Sequence, residues 1–136
     1  MARAIEDYDG FVKQDGLVTK KKFGYTTGAG STVTQTTNRA TGVTINALSG
    51  AITTDSTSLA AEASAVFVVT NSFVEIGDVV VLSMRSGSVA LNTTPVVSAV
   101  ANGSFSITIV NNNVAAGTAE TGAIVINFAV IKAVSS

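Results

Sequence analysis

The side chains able to do chemistry in this 136-residue chain are carboxylates, lysines and hydroxyls, because it contains neither histidine nor cysteine. Without them there is no imidazole base, no thiolate nucleophile or zinc ligand, and no disulfide. Two carboxylate pairs remain: Glu75 with Asp78, which flank Ile76-Gly77, and Asp55 with Glu62. Such a pair hydrolyses a glycoside when its carboxyls stand about 5 to 9 Å apart across a cleft. Tryptophan, the usual platform for a sugar ring, is absent, and Glu75 to Asp78 reads more simply as a polar turn before the strand at Val79. A Ser–Lys pair built on Lys132 has nothing to mark it. Asn111, Asn112 and Asn113 with Glu120 offer oxygens for calcium, but the spacing matches no calcium loop and three Asn in a row suit a turn. Gly28-Ala29-Gly30 lacks the third glycine and the following helix of a phosphate cradle. The sequence therefore reads as a non-enzyme, with no catalytic residue, no metal site and no cofactor.

The elements that would position these groups are strands. Val (20 residues) and Thr (18) are among the commonest residues, and both are stiff at χ1 and fit a pleated surface. Eight strands are expected, over Ser31–Thr37, Thr41–Ala47, Ser49–Thr54, Ser64–Asn71, Val79–Ser86, Thr93–Val100, Ser104–Asn111 and Gly122–Lys132. The clearest is Ser104 to Ile109, where Phe105, Ile107 and Ile109 alternate with Ser104, Ser106 and Thr108. In the last segment Ile124, Ile126, Phe128 and Val130 share one face. Val125, Ala129 and Ile131 make the other face apolar too, so this strand is central or its outer side is covered. Asn102-Gly103 is the strongest hairpin signal, and Leu59–Ala63 is either one helical turn or a loop. Eight short strands with tight turns point to an all-β sandwich of jelly-roll type. An immunoglobulin-like sandwich comes second, without that fold's Cys–Trp–Cys signature.

Charge is unevenly spread. Residues 1–25 hold nine of the seventeen charged side chains, leaving eight for the other 111 residues. That is far below the quarter or so usual in soluble domains, and it suggests a surface that faces protein instead of water. The chain divides into an extended N-terminal arm, 1–30, and a sandwich domain, 31–136. Along the arm Tyr8, Phe11, Leu17, Phe23 and Tyr25 are spaced apolar groups, and Lys20, Lys21 and Lys22 form its basic run. These eight are the candidate partner-binding residues. A net charge of −1 argues against nucleic acid, and no apolar run is long enough to cross a bilayer. The acidic start lacks the apolar core of a secretory signal, so synthesis in a cytoplasm is expected.

Several segments resemble a known family. Ser31 to Asn46 (STVTQTTNRATGVTIN), Val68 to Ser72, Asp78 to Val81, Ser98 to Phe105 and Ile126 to Lys132 are similar to segments of small tailed-bacteriophage head structural proteins. The resemblance, which spans about residues 31–133, is to the capsid decoration, or cement, proteins of podovirus-like phages. It implies a virion location on the capsid exterior, the major capsid protein as partner, and a homodimer or homotrimer, without nucleic acid or membrane. It transfers no catalytic residue. A receptor- or glycan-binding module of a tail or head fibre is the alternative, with Tyr8, Tyr25 or Phe73 as its exposed aromatics.

Overall fold

A computed structural model describes residues 23–133. Within that range the chain forms eight strands: β1 (Gly30–Thr34), β2 (Val43–Thr44), β3 (Ser49–Thr53), β4 (Ser64–Thr70), β5 (Val79–Ser86), β6 (Thr93–Ala101), β7 (Ser104–Asn111) and β8 (Val125–Ile131). They make two four-stranded sheets, ordered β1-β3-β8-β5 and β2-β4-β7-β6. Across the sandwich β1 lies by β2 and β5 by β6.

Period-two patterning sets which side of each strand faces in. In β7, Phe105, Ile107 and Ile109 are buried, while Ser104, Ser106 and Thr108 stand on the outer, half-buried side. From the opposing sheet Ile52, Ile126, Phe128 and Val130 complete the core. Phe105 and Phe128 meet across the two layers with ring centroids 5.6 Å apart and planes tilted by 48°, a geometry that favours an aromatic pair beyond its buried area. β8 is central, between β3 and β5, one of the two placements its apolar faces allowed.

The hairpin at Asn102-Gly103 forms as its residues direct. Ala101 pairs with Ser104, and Gly103 supplies the positive φ (79°) that a two-residue turn needs. Between Leu59 and Ala63 there is a turn, not a helix: Ala63 N–H donates to the Ala60 carbonyl, and Leu59 bridges to Glu120.

The jelly-roll connectivity is not confirmed. β1 runs parallel to β3 and β2 parallel to β4, and only the other four ladders are antiparallel. The physical reason lies in the connections. β1 and β2 are separated by a loop that crosses from one sheet to the other, so each returns beside a strand two places on in sequence. β2 is also reduced to two residues, because the chain from Asn38 to Thr41 closes a turn instead of extending the strand.

Truncating the inter-sheet aromatic contact tests this core. Phe105→Ala is expected to cost roughly 3–5 kcal/mol in urea unfolding, whereas Val66→Ala, on the outer face, should cost well under half of that.

Candidate functional site

Three of the four carboxylates paired from sequence, Glu75, Asp78 and Asp55, are held in structural roles. Glu75 and Asp78 do close a turn: Glu75 N–H donates to Asp78 Oδ2 (2.8 Å) and Asp78 N–H to the Glu75 carbonyl (3.0 Å). Between the two carboxylates sits Lys132, whose Nζ is 2.6 Å from Asp78 Oδ2 and 3.1 Å from Glu75 Oε2, and also donates to the Phe73 carbonyl. The lysine's hydrogen bond holds the Asp78 carboxyl below its ordinary value against a smaller upward push from burial. Asp78 in turn raises Lys132. This clamp ties the end of β8 to the start of β5. Asp55 accepts from the Thr57 amide (2.7 Å) and hydroxyl within its own turn. Glu62 is exposed, its backbone bonded to the Asn111 and Asn113 carbonyls.

The Asn111–Asn113 and Glu120 group is a polar hub. Glu120 is fully buried, and its carboxylate accepts five hydrogen bonds. Oε1 takes the Val89 and Gly122 amides, both at 2.8 Å. Oε2 takes the Ser88 hydroxyl (2.5 Å), the Thr93 hydroxyl (2.7 Å) and the Ala90 amide (3.3 Å). Burial alone would push this carboxyl up, but donors from Ser88, Val89, Thr93 and Gly122 outweigh it and hold the group at about 2, against an ordinary 4.5. Asn111 is equally engaged, donating to the Leu59 and Thr118 carbonyls and accepting from the Asn113 amide. These oxygens face protein donors, an arrangement that suits a carboxylate anchor and not a cation.

Sequence reading missed the hub's cationic member. Arg39 looks like a lone surface charge, yet it is 3% exposed. It donates to the carbonyls of Thr57 (2.5 Å), Glu120 (3.1 Å) and Gly122 (2.8 Å), and to the Thr54 hydroxyl (3.1 Å). A rigid guanidinium fork suits several carbonyls at fixed angles. Only glycines let the loops close this tightly: a Cβ on Gly122 would stand 1.8 Å from the Gly87 carbonyl oxygen, and Gly87 itself has φ +92°. Gln35 and Asn71, also buried, pin neighbouring loops through the Thr41 and Ala47 carbonyls.

Of the candidate partner-binding residues, Tyr8, Phe11, Leu17, Lys20, Lys21 and Lys22 lie outside the described residues. Phe23 and Tyr25 lie against β8, where the Tyr25 hydroxyl donates to the Val130 carbonyl. They line an apolar groove of about 450 Å³ with Gly24, Ala129, Ile131 and Lys132. Phe73 is half-exposed and borders a separate shallow cavity beside Gly28 to Ser31 and Asn46 to Leu48.

The surfaces carry the larger message. Arg39, Asp78 and Glu120 are buried, so Asp55, Glu62, Glu75, Arg85 and Lys132 are the ionised side chains left to the surface of the described body. The outer face of β2-β4-β7-β6 has none. Its cross-strand rows are Val66-Thr108-Val96 and Val68-Ser106-Ala99, bordered by Ser64, Thr70, Thr94, Val110 and Ala101. With this geometry in hand, comparison with known proteins adds nothing to it: no family model, no curated protein and no solved structure matches the chain.

Two measurements probe the hub. Glu120→Gln turns one acceptor into a donor facing N–H groups, and is expected to cost roughly 2–4 kcal/mol in chemical denaturation at pH 7. The pH dependence follows from the lowered carboxyl. Glu120's stabilising contribution is complete above about pH 4.5 and lost as pH falls towards about 2. Melting temperature followed from pH 6 to pH 2 should therefore fall more steeply in the wild type than in Glu120→Gln.

Proposed function

We propose that this chain is a virion structural protein of the capsid decoration type, binding the major capsid protein across capsomer joints and stabilising the shell. The observation that carries the reading is that, among the described residues, no ionised side chain stands on the outer face of β2-β4-β7-β6, and three of the eight charges in residues 23–133 are buried. Charge is depleted at the cores of protein interfaces. A face of Val, Thr, Ser and Ala loses little on leaving water, since Thr and Ser hydroxyls can find partners across a contact. The resemblance of residues 31–133 to decoration proteins of podovirus-like phages points the same way.

The mechanics follow from repetition. A shell under internal pressure is held by many equivalent weak contacts, and a small rigid sandwich adds buried area at each of them. Avidity over a symmetric lattice then converts modest single-site affinity into firm attachment. The buried hub matters here because a body that transmits load between subunits must not deform. In this reading residues 1–22 contribute further apolar contacts to a neighbouring subunit.

The test uses expanded heads purified without this chain. The protein should bind them saturably, in fixed ratio to the shell subunit, and raise their disruption temperature. Val66→Lys with Val68→Lys should weaken that binding by at least about tenfold, the cost of desolvating an unpaired charge, while leaving the protein's own melting temperature nearly unchanged. A chain starting at Phe23 should stabilise heads less than the intact one. Heads that melt identically with and without the protein would end the proposal.

A further inference from the structure

At the pole where β5 ends and β8 begins, the loop 87–92 and the loop 112–124 form one stitched unit. The Asn113 side chain donates to the Ala90 carbonyl (3.2 Å), and the Asn112 amide and side chain both donate to the Asn92 carbonyl (2.9 and 3.1 Å). Beneath them Glu120 grips Ser88, Val89 and Ala90. From this rigid base three aliphatic side chains stand in water: Leu91 is 88% exposed, Val114 76% and Val89 54%. The backbone is strained at the same place. Among the described residues the three non-glycine positions of positive φ are Glu62 (63°), Leu91 (59°) and Ala116 (65°), and all belong to this pole. A leucine held left-handed with nothing to pack against is costly. No charged side chain lies between Ser86 and Thr94 or between Asn111 and Ala119.

The outer face of β8, towards its far end, carries the apolar groove of Phe23, Tyr25, Ala129 and Ile131. The register places it there: Ile131 pairs with Val79 at one end of the β5–β8 ladder and Val125 with Ser86 at the other. From Val125, where β8 leaves the tip, to Ala129 at the near edge of the groove the strand advances four residues, roughly 13 Å at 3.3 Å per residue. Beyond Ile131, exposed Val79 and Val81 extend the apolar surface. The groove's one charge, Lys132, is already committed to Asp78 and Glu75.

We propose that the tip is a self-association knob: Val89, Leu91 and Val114 of one chain seat in the Phe23–Ile131 groove of a second copy, head to tail. Knob and groove match in apolar character; the exposed charges at the tip's pole, Glu62 and Arg85, lie outside the two tip segments. A lipid surface is the poorer fit, because the tip has neither the basic nor the aromatic residues that hold a loop at an interface. Because knob and groove are different surfaces of one chain, the contact is heterologous. It closes into a ring if the rotation permits and otherwise grows as a chain of subunits.

Sedimentation velocity on the full-length protein, from micromolar to millimolar concentration, reads the outcome. The wild type should show concentration-dependent assembly. Leu91→Asp should weaken assembly by at least about tenfold, since it would bury an unpaired carboxylate, without loss of melting temperature, because Asp accepts a left-handed backbone better than Leu. Ile131→Asp should do the same from the groove side. An equimolar mixture of the two variants, each with one intact surface, should form a dimer that grows no further. Several results would overturn the proposal. They are a wild type that stays monomeric, whether or not it floats with phosphatidylcholine vesicles; variants that assemble like the wild type; or a mixture that stays monomeric. Assembly that survives both point variants but vanishes in a chain starting at Phe23 would assign the groove to residues 1–22 instead.

Discussion

One buried carboxylate organises the better-built end of this molecule. Glu120 sits in the connection between β7 and β8, yet its oxygens collect donors from the β5–β6 loop, from the first residue of β6 and from Gly122 beside it. Its own backbone bridges to Leu59 in the β3–β4 connection, and Arg39 reaches in from the β1–β2 loop to take its carbonyl. Four loops that share no sequence neighbourhood are thus fixed to one residue. Stripped of its partners, such a carboxylate would be costly in the interior, so the surrounding loops cannot relax independently of one another. At the other pole the Asp78–Lys132 pair performs a milder version of the same task, in a more solvated setting where an ion pair contributes less.

This use of charge explains the surface. A chain with few ionisable residues has spent three of them on fastening its loops, and what remains outside is dominated by Val, Thr, Ser and Ala. Rigid loops and uncharged faces are complementary properties for a protein that acts by contact. Rigidity lowers the ordering cost of association, and the lack of charge lowers the desolvation cost. Both the proposed shell contact through β2-β4-β7-β6 and the proposed knob draw on that pairing, from different parts of the molecule.

Much of the architecture was legible because period-two patterning is a local signal. Val79–Ser86 and Ser104–Asn111 begin and end where alternation and flanking Gly and Asn residues place them. The doubly apolar β8 had to be central or covered, and it lies between β3 and β5 with Phe23 and Tyr25 along its outer side. Strand pairing was less legible: whether β1 meets β3 in parallel depends on how a loop crosses between sheets, and no residue within β1 encodes that. The hub was legible only in part. Glu120 and the Asn111–Asn113 run stood out as an oxygen-rich group, but a carboxylate surrounded by N–H donors and one surrounding a cation look alike in sequence. Arg39 gave no sign at all, since its partners are backbone carbonyls, which every residue possesses. For the arm, Phe23 and Tyr25 find their own domain's β8, a contact that isolated aromatics cannot announce.

The most direct test of the hub is a carbon-detected NMR titration of the Glu120 side-chain carboxyl between pH 7 and pH 1.5. If five donors hold the ionised form in place, its chemical shift should stay flat through the ordinary carboxylate range and move only near pH 2, while the Val89 and Gly122 amides keep their protection from exchange. A midpoint near 4.5, with those amides exchanging freely, would mean that the carboxylate anchors nothing.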